Sequence, residues 1–258
     1  IDMIRGVSRM FGIEVADNFR RPFFSKTLSE YWHRWHISLS MWLQDYVFYP
    51  LALSKAAAKI GKKARKRFGA QVGKTLPGAI ASVVTFLLIG LWHDVALYYV
   101  AYGLWHGVLL GLSNMTAPAV AGFTGKCGIK TDCTSFRLFQ RVRTYLIISV
   151  GELFTLTGSL SSALRAGKKI FTSFQLYTMV DLYKWGIDEK DWFVLVLALI
   201  VLLFISYLQE YRGSVTGIIK DQNVWMRWLI PVTAILVIGV FGVYGPGYQA
   251  ADFVYKGF

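Results

Sequence analysis

The sequence predicts an all-α integral membrane protein, built as a multi-helix transmembrane bundle with re-entrant and interfacial helices. Hydrophobic residues make up 55% of its 258 residues and charged residues only 17%, against about 25% in an average soluble domain. Three runs without a charged side chain, residues 76–91, 192–207 and 228–244, approach the roughly 20 residues that a helix needs to cross a bilayer. We therefore expect about five spanning segments and about two interfacial or re-entrant helices in a single membrane domain, residues 1–258.

Residues 1–52 have the pattern of interfacial and re-entrant helices. A helix that begins near Thr27 or Ser29 and reaches Tyr49 is amphipathic and rich in aromatic residues. The charged side chains within it are Glu30, Arg34 and Asp45. They argue against a lipid-facing span, because polar segments persist at membrane depth only where protein or water surrounds them.

Residues 53–75 form a basic segment, which we expect to be a cytoplasmic loop. The chain has no acidic residue between Asp45 and Asp94, and the net charge of the whole protein is +13. The bases of the segment are Lys55, Lys59, Lys62, Lys63, Arg65, Lys66, Arg67 and Lys74. A nucleic-acid surface is one interpretation of such a cluster, but between apolar segments the positive-inside rule assigns it to the cytoplasm. Anionic lipid or an acidic soluble partner are the expected partners, and nucleic acid is not.

Residues 76–112 carry two of the four histidines within apolar segments. Pro77-Gly78 is expected to open a helix in which His93 lies roughly 24 Å along the axis, past the bilayer midplane. Gly90 and Trp92 predict a local irregularity close to it. A short apolar return, Tyr98–Leu112, carries His106.

Residues 113–258 are expected to supply the C-terminal spans. A soluble loop to about Phe136 comes first, followed by a span at Arg137–Thr157, with Arg143 and Glu152 at its edges or facing inward. The pattern of residues Ser159–Met179 predicts an interfacial amphipathic helix. The last two spans are the apolar runs described above.

All four histidines lie beside tryptophans, and His93 has the strongest case for a chemical role. An ionisable side chain at membrane depth is a functional-site hypothesis, and a neutral imidazole tolerates apolar surroundings while accepting a proton near neutral pH. His33 and His106 are better explained as polar tips at a membrane interface than as chemical groups. No cysteine or carboxylate beside His33 and His36 completes an established zinc pattern, so no metal is expected. From the residues alone, a base acting on a hydroxyl and a proton relay in a transporter or export subunit remain nearly equal interpretations.

Two groups of motifs resemble the signatures of the membrane-bound O-acyltransferase (MBOAT) family. The first comprises Asn18-Phe19-Arg20-Arg21-Pro22-Phe23-Phe24-Ser25-Lys26 and the run from Tyr31-Trp32-His33-Arg34-Trp35-His36 to Phe48. The second comprises Gly90-Leu91-Trp92-His93 and Tyr102-Gly103-Leu104-Trp105-His106-Gly107. The resemblance is to the bacterial branch that holds the alginate O-acetyltransferases and the D-alanyl transfer proteins of teichoic acid synthesis. It covers nearly the whole chain, including the aromatic tail 252–258, and implies the C-terminal half of a longer protein.

The resemblance implies that His93 is the catalytic residue and that His36 is its polar partner across a membrane tunnel. Such proteins move an acyl group, here acetyl or D-alanyl, from a cytoplasmic thioester donor to a hydroxyl of a cell-envelope polysaccharide or its intermediate. The donor would be acetyl-CoA or an acyl-carrier protein, with no tightly bound cofactor. Other residues expected at the substrate or along the tunnel are Trp32, Trp35, Asp45, Trp92, Asp94 and His106.

The resemblance also implies a location and partners. The protein is expected to be a multi-pass protein of the bacterial cytoplasmic membrane, with an acidic carrier protein at Lys55–Lys74 and an acyl-transfer partner outside the membrane.

Asp94 stands where the family usually has glycine, and it is expected either to orient His93 or to face water. A subunit that only positions a separate enzyme remains a further alternative.

Overall fold

The structure, a computed structural model, describes residues 2–173 and 189–242. Over these residues the chain is helical without a strand, and its one isolated bridge joins Phe19 to Trp35. The chain divides into two compact units, Ile1–Phe174 and Gln175–Phe258. The predicted all-α class is confirmed.

The first unit starts with short elements and continues with long helices. The short elements are α1 (Asp2–Met10), a 3₁₀ turn (Pro22–Phe24), α2 (Leu28–Trp32), α3 (Ile37–Leu43), a π-helical turn (Gln44–Phe48) and α4 (Tyr49–Ala52). The longer helices are α5 (Lys55–Phe68), α6 (Ala70–His93), α7 (Leu97–Lys126), α8 (Thr134–Leu156) and α9 (Leu160–Thr172). Its buried core lies where α2 and α3 meet α6, α7 and α8, and includes Trp32, Phe86, Ile89, Tyr102 and Ile148.

The single helix predicted from Thr27 to Tyr49 is interrupted. Its start is correct, because the Thr27 hydroxyl accepts a hydrogen bond from the Glu30 N–H at 3.0 Å and caps α2. The chain then leaves the helical conformation after Trp32, and α3 begins only at Ile37. Amphipathic spacing continues across the break, which is why the sequence pattern does not reveal it.

The expectation of a loop at residues 53–75 is wrong, because most of the segment is helical, in α5 and the start of α6. Alanine and lysine are strong helix formers, and the Ser54 hydroxyl caps the helix by accepting from the Ala57 N–H at 3.0 Å. Gly69, at φ +91°, makes the sharp turn into α6. The many basic residues of this segment led to the prediction of a loop, although alanine and lysine favour a helix.

Two predicted helix boundaries are also corrected. Helix α6 begins at Ala70, and Pro77 lies inside it rather than opening it. Helix α7 runs through to Lys126, so most of the expected loop after Leu112 is helical. Thr116 and Thr124 lie in this stretch, and each donates its hydroxyl to the carbonyl four residues earlier, which satisfies polar groups that the sequence suggested were solvated in a loop.

Helices α6 and α7 pack through a row of small residues. Gly103, Gly107 and Gly111 recur every fourth residue on α7, and a Cβ at Gly107 would lie 2.8 Å from the Val83 Cα. Small residues at this spacing let two helix backbones approach closely. Gly90 on α6 belongs to the same close contact, because a Cβ added to it would collide with the Tyr99 carbonyl on α7. The irregularity expected at Gly90 is absent from this described helix, and the glycine serves packing instead.

The second unit contains α10 (Glu189–Tyr211), α11 (Val215–Lys220) and α12 (Val224–Phe241). Helix α10 contains the predicted span 192–207, and α12 ends at Phe241 within the predicted span 228–244. Residues 174–179 of the expected interfacial helix, and the tail 252–258, lie outside the described residues.

Three of the described helices, α6, α10 and α12, are long and apolar enough to cross a membrane. Helices α7 and α8 have 30 and 23 residues, but they are not among the described helices that are apolar enough to cross a membrane. On these grounds three of the roughly five expected spans are supported. The protein is therefore an all-α membrane protein.

Candidate functional site

His36 and His93 lie side by side in the first unit. His36 immediately precedes α3, and His93 is the last residue of α6. Their ring centroids are 6.0 Å apart with an interplanar angle of 62°. Both side chains are partly buried, so the pair is shielded by protein without being sealed from a substrate.

Aromatic rings hold the two imidazoles from several sides. Tyr99 stacks on His93 with centroids 5.6 Å apart and an angle of 11°. Trp92 lies 4.8 Å from His93 and 6.2 Å from His36, measured between centroids. Trp35 packs edge-on against His36 at 5.8 Å. Trp35 and Trp92, both expected at the site, are therefore brought to the histidine pair.

The backbone of His36 adopts an uncommon conformation. Its φ and ψ are 48° and 49°, in the left-handed region, which a residue with a Cβ occupies at a cost of about 1–2 kcal/mol. Its side chain makes no capping hydrogen bond to α3. Strain that the surrounding structure maintains is typical of functional positions, and here it turns the ring toward α6 instead of the helix end.

Asn18 supplies the cap that His36 does not. Its side-chain oxygen accepts hydrogen bonds from the Ser38 N–H at 3.0 Å and the Ser38 hydroxyl at 2.5 Å. Its carbonyl accepts from the Ile37 N–H at 3.0 Å, and the neighbouring Arg20 N–H donates to the Arg34 carbonyl at 2.8 Å. The segment around Asn18 thus docks on the break between α2 and α3 and fixes the position of His36.

His36 is neutral at physiological pH. Burial, together with the nearby His93, lowers the pKa of His36 to about 4, and His36 lies outside the three helices that are long and apolar enough to span a membrane. A neutral imidazole offers one N–H donor and one acceptor nitrogen. The residue is therefore suited to orienting a substrate or polarising a carbonyl.

A cavity of about 530 Å³ lies along the same face of α6 as His93. Its α6 wall consists of Ser82, Thr85, Phe86 and Ile89, and His93 follows Ile89 by one turn on that face. The rest of its lining is Arg20, Ser29, Trp32, His33, Ile37, Ser40, Met41, Gln44, Phe48, Leu110 and Asn114. The cavity lining thus includes Ile37, the residue after His36, and Ile89, one turn before His93.

Two predicted site residues, Asp45 and Asp94, lie at the surface of the protein. Asp45 is exposed in the π-helical turn. Asp94 is exposed as well, and its carboxylate accepts a hydrogen bond from the Tyr98 hydroxyl at 3.4 Å. Tyr98 lies in the first turn of α7. The carboxylate thus ties the end of α6 to the start of α7.

His106 is wholly buried behind Trp32 rather than at an interface. Trp32 and Tyr102 surround its ring at centroid distances of 5.1 Å and 4.7 Å. Gly151 on α8 makes room for it, because a Cβ there would lie 2.5 Å from His106 Nε2. Neither ring nitrogen has a hydrogen-bond partner among the described residues. His106 therefore supports the wall of the cavity from behind.

Sequence reasoning missed Asn18 and Tyr99 as parts of the site. Asn18 lies in a turn-like motif whose partner, the break before α3, was not foreseen. Tyr99 gave no signal, because its contact with His93 depends on the tight turn between α6 and α7. Among the described residues no group of three or more histidine, cysteine, aspartate or glutamate side chains is arranged to hold a metal ion.

The fold and the site together define an all-α membrane protein with a histidine pair at the end of an apolar helix. No protein-family model matches the chain. The curated relatives include a probable alginate O-acetylase of Azotobacter vinelandii, 29% identical over 221 residues, 86% of this chain and 38% of the relative. The teichoic acid D-alanyltransferase of Bacillus subtilis is 37% identical over 109 residues, 42% of this chain and 25% of the relative. The peptidoglycan O-acetyltransferase of Helicobacter pylori is 26% identical over 167 residues, 65% of this chain and 27% of the relative.

All three relatives are of the MBOAT type, and they confirm the resemblance that the motifs indicate. By their names, two of them transfer acetyl groups and one transfers D-alanine. The chain spans well under half the length of each of them.

Proposed function

We propose that this chain forms the histidine-bearing part of a membrane O-acyltransferase. The enzyme moves an acetyl or D-alanyl group from a cytoplasmic thioester donor to a hydroxyl of a cell-envelope polysaccharide or its intermediate. The observation that carries the proposal is the 6.0 Å approach of His36 and His93, which brings together the ends of two separate segments. The names of the relatives support acyl transfer over a transporter or export subunit.

In the proposed reaction His93 is the general base. It accepts the proton of the acceptor hydroxyl while that oxygen attacks the carbonyl carbon of the thioester. The bond from carbon to sulfur breaks, and the proton passes from His93 to the leaving thiolate. The products are an ester and a free thiol.

His36 is proposed to stabilise the negative charge that develops on the carbonyl oxygen. A neutral imidazole donates one N–H, and a donor already positioned in a partly buried site contributes about 3 kcal/mol to such a transition state. The left-handed backbone and the Asn18 contacts support this role, because they hold the ring in place before substrate binds.

The cavity beside α6 is proposed to receive the acyl thioester. It lies beside residues 82–89 of α6, between His93 and the helix end nearer the basic segment. By the positive-inside rule that end is cytoplasmic, and the cavity wall is mostly apolar, with hydroxyls from Ser82 and Thr85. The acceptor then approaches the histidine pair from the opposite side.

The first test is His93→Ala in the full-length protein. We expect loss of polymer acylation by at least about a hundredfold, because a positioned base contributes roughly that much, while membrane insertion stays normal. Cys127→Ser, on an exposed position away from the site, is the control. Wild-type levels of polymer ester in the His93→Ala protein would overturn the assignment.

A second test identifies the donor and the acyl group. Membranes containing the full-length protein are supplied with radiolabelled acetyl-CoA, with an acetylated carrier protein or with a D-alanylated carrier protein. Transfer of label to base-labile ester on polymer identifies the donor, and His36→Ala should abolish that transfer as well. No transfer from any thioester would contradict the proposed chemistry.

A further inference from the structure

Helix α5 carries a row of lysines on one face, here called the lysine ridge: Lys55, Lys59, Lys62, Lys63 and Lys66. At 3.6 residues per turn these five positions fall within an arc of about 100°. The row is about 17 Å long at 1.5 Å per residue. All five side chains are exposed, so the helix presents a continuous strip of positive charge.

The opposite face of α5 fixes the direction of the ridge. Ala57, Gly61 and Ala64 are buried against α6. A Cβ on Gly61 would lie 2.8 Å from the Gly73 carbonyl oxygen and 3.1 Å from the Pro77 side chain. This close backbone contact leaves α5 little freedom to rotate, and the lysine ridge therefore points away from α6.

The contact between α5 and α6 lies at the start of the apolar run of α6, which places the lysine ridge near the membrane surface. The apolar run of α6 starts at Leu76, two residues after Lys74, and α5 packs on α6 at Gly73 and Pro77. Gly61, in the middle of α5, thus packs where the apolar run of α6, a candidate span, begins. Lysine side chains at that level extend their charged ends to the headgroups.

We propose that the lysine ridge binds the phosphate headgroups of anionic phospholipids in the leaflet where α6 begins. No acidic side chain lies between Asp45 and Asp94 to neutralise the ridge locally. Headgroups surround α6 at this level at all times, whereas a soluble acidic protein has to be recruited. The interaction anchors the α5–α6 hairpin at a fixed depth, independently of the reaction at His93.

The test uses the full-length protein in neutral detergent, titrated with dioleoyl phosphatidylglycerol or dioleoyl phosphatidylcholine, with bound lipid counted by native mass spectrometry. A lysine near an anionic surface contributes about fivefold to affinity. The triple variant K59Q/K63Q/K66Q should therefore bind phosphatidylglycerol at least about tenfold more weakly, with phosphatidylcholine binding unchanged. The variant K59R/K63R/K66R keeps the charge and should keep the preference, which separates charge from folding.

The matched control is K126Q/K130Q/K168Q, which removes three exposed bases from other parts of the first unit. It should bind phosphatidylglycerol as the wild type does. Equal loss in both triple variants, or no preference for phosphatidylglycerol in the wild type, would overturn the proposal. So would a ridge variant that loses binding of a purified acidic acyl-carrier protein while phosphatidylglycerol binding is unchanged, because the ridge would then be a protein-docking site.

Discussion

The indole of Trp32 meets the imidazole of His106 edge to face, with ring centroids 5.1 Å apart. Trp32 has its other side on the cavity, so His106 backs the wall that a substrate would touch. The position of His106 depends in turn on Gly151, the small residue of α8 against its Nε2 atom. A chain of contacts therefore links α8 to the cavity through two rings.

Gly151→Ala is expected to destabilise the protein by about 1–3 kcal/mol, the usual cost of overpacking a core. The new methyl group would lie 2.5 Å from His106 Nε2 and 3.1 Å from Trp105 Cδ1. Thermal unfolding of the full-length protein in detergent measures the effect. Gly167→Ala, at a helical glycine with nothing within 4 Å of the added Cβ, should be neutral or slightly stabilising.

A double-mutant cycle tests whether His106 is the cause. In the His106→Ala background, Gly151→Ala should cost much less than in the wild type, giving a coupling of at least about 1 kcal/mol. Equal costs in the two backgrounds would mean that Gly151 acts through another neighbour.

Much of the fold was predictable because the strongest signal was composition. Uncharged runs identified α6, α10 and α12, and the Thr27 cap gave the start of α2. The helical character of residues 55–68 was hidden, because eight closely spaced bases indicated a loop between spans. Hydropathy cannot detect a helix that buries only Ala57, Gly61 and Ala64, since small side chains contribute little to it.

The candidate site was predictable only in part, and for a different reason. Periodicity placed His93 at the end of an apolar helix, but its pairing with His36 came from the family resemblance. No local pattern reports that two residues so far apart in sequence meet. The left-handed turn at His36 and its cap by Asn18 are tertiary features, and they depend on a contact between segments 20 residues apart.

Asn18→Ala is expected to reduce acyl transfer at least several-fold and to destabilise the protein by about 1 kcal/mol, the usual value for a lost helix cap. The change removes the acceptor for Ser38 and loosens the turn that positions His36. Because Asn18 acts through His36, kcat should fall while KM for the donor stays unchanged. Asn18→Asp keeps an acceptor oxygen and should recover most of the activity. Full activity in Asn18→Ala would show that the cap does not position His36.

Substitutions at His36 separate backbone strain from chemistry. His36→Gly and His36→Ala should both lose acyl transfer, because both lack the ring. His36→Gly should nevertheless be more stable than His36→Ala by about 1 kcal/mol, since glycine occupies the left-handed region without a Cβ penalty. At Met41, inside α3, the order should reverse, with alanine the more stable. Thermal unfolding of the four variants measures both comparisons, and the same order at both positions would contradict a left-handed His36.

Met41→Trp tests whether the cavity beside α6 admits the donor. Met41 lines the cavity and is 57% exposed, so a larger side chain adds bulk there without having to fit into the packed core. We expect KM for a coenzyme A or carrier-protein thioester to rise several-fold, because the added ring narrows the path to His93. A small thioester such as S-acetyl-N-acetylcysteamine should be affected less, since it fills less of the cavity. Met10→Trp, at a residue 84% exposed and outside the cavity lining, is the control, and equal KM values for Met41→Trp and wild type would place the donor path elsewhere.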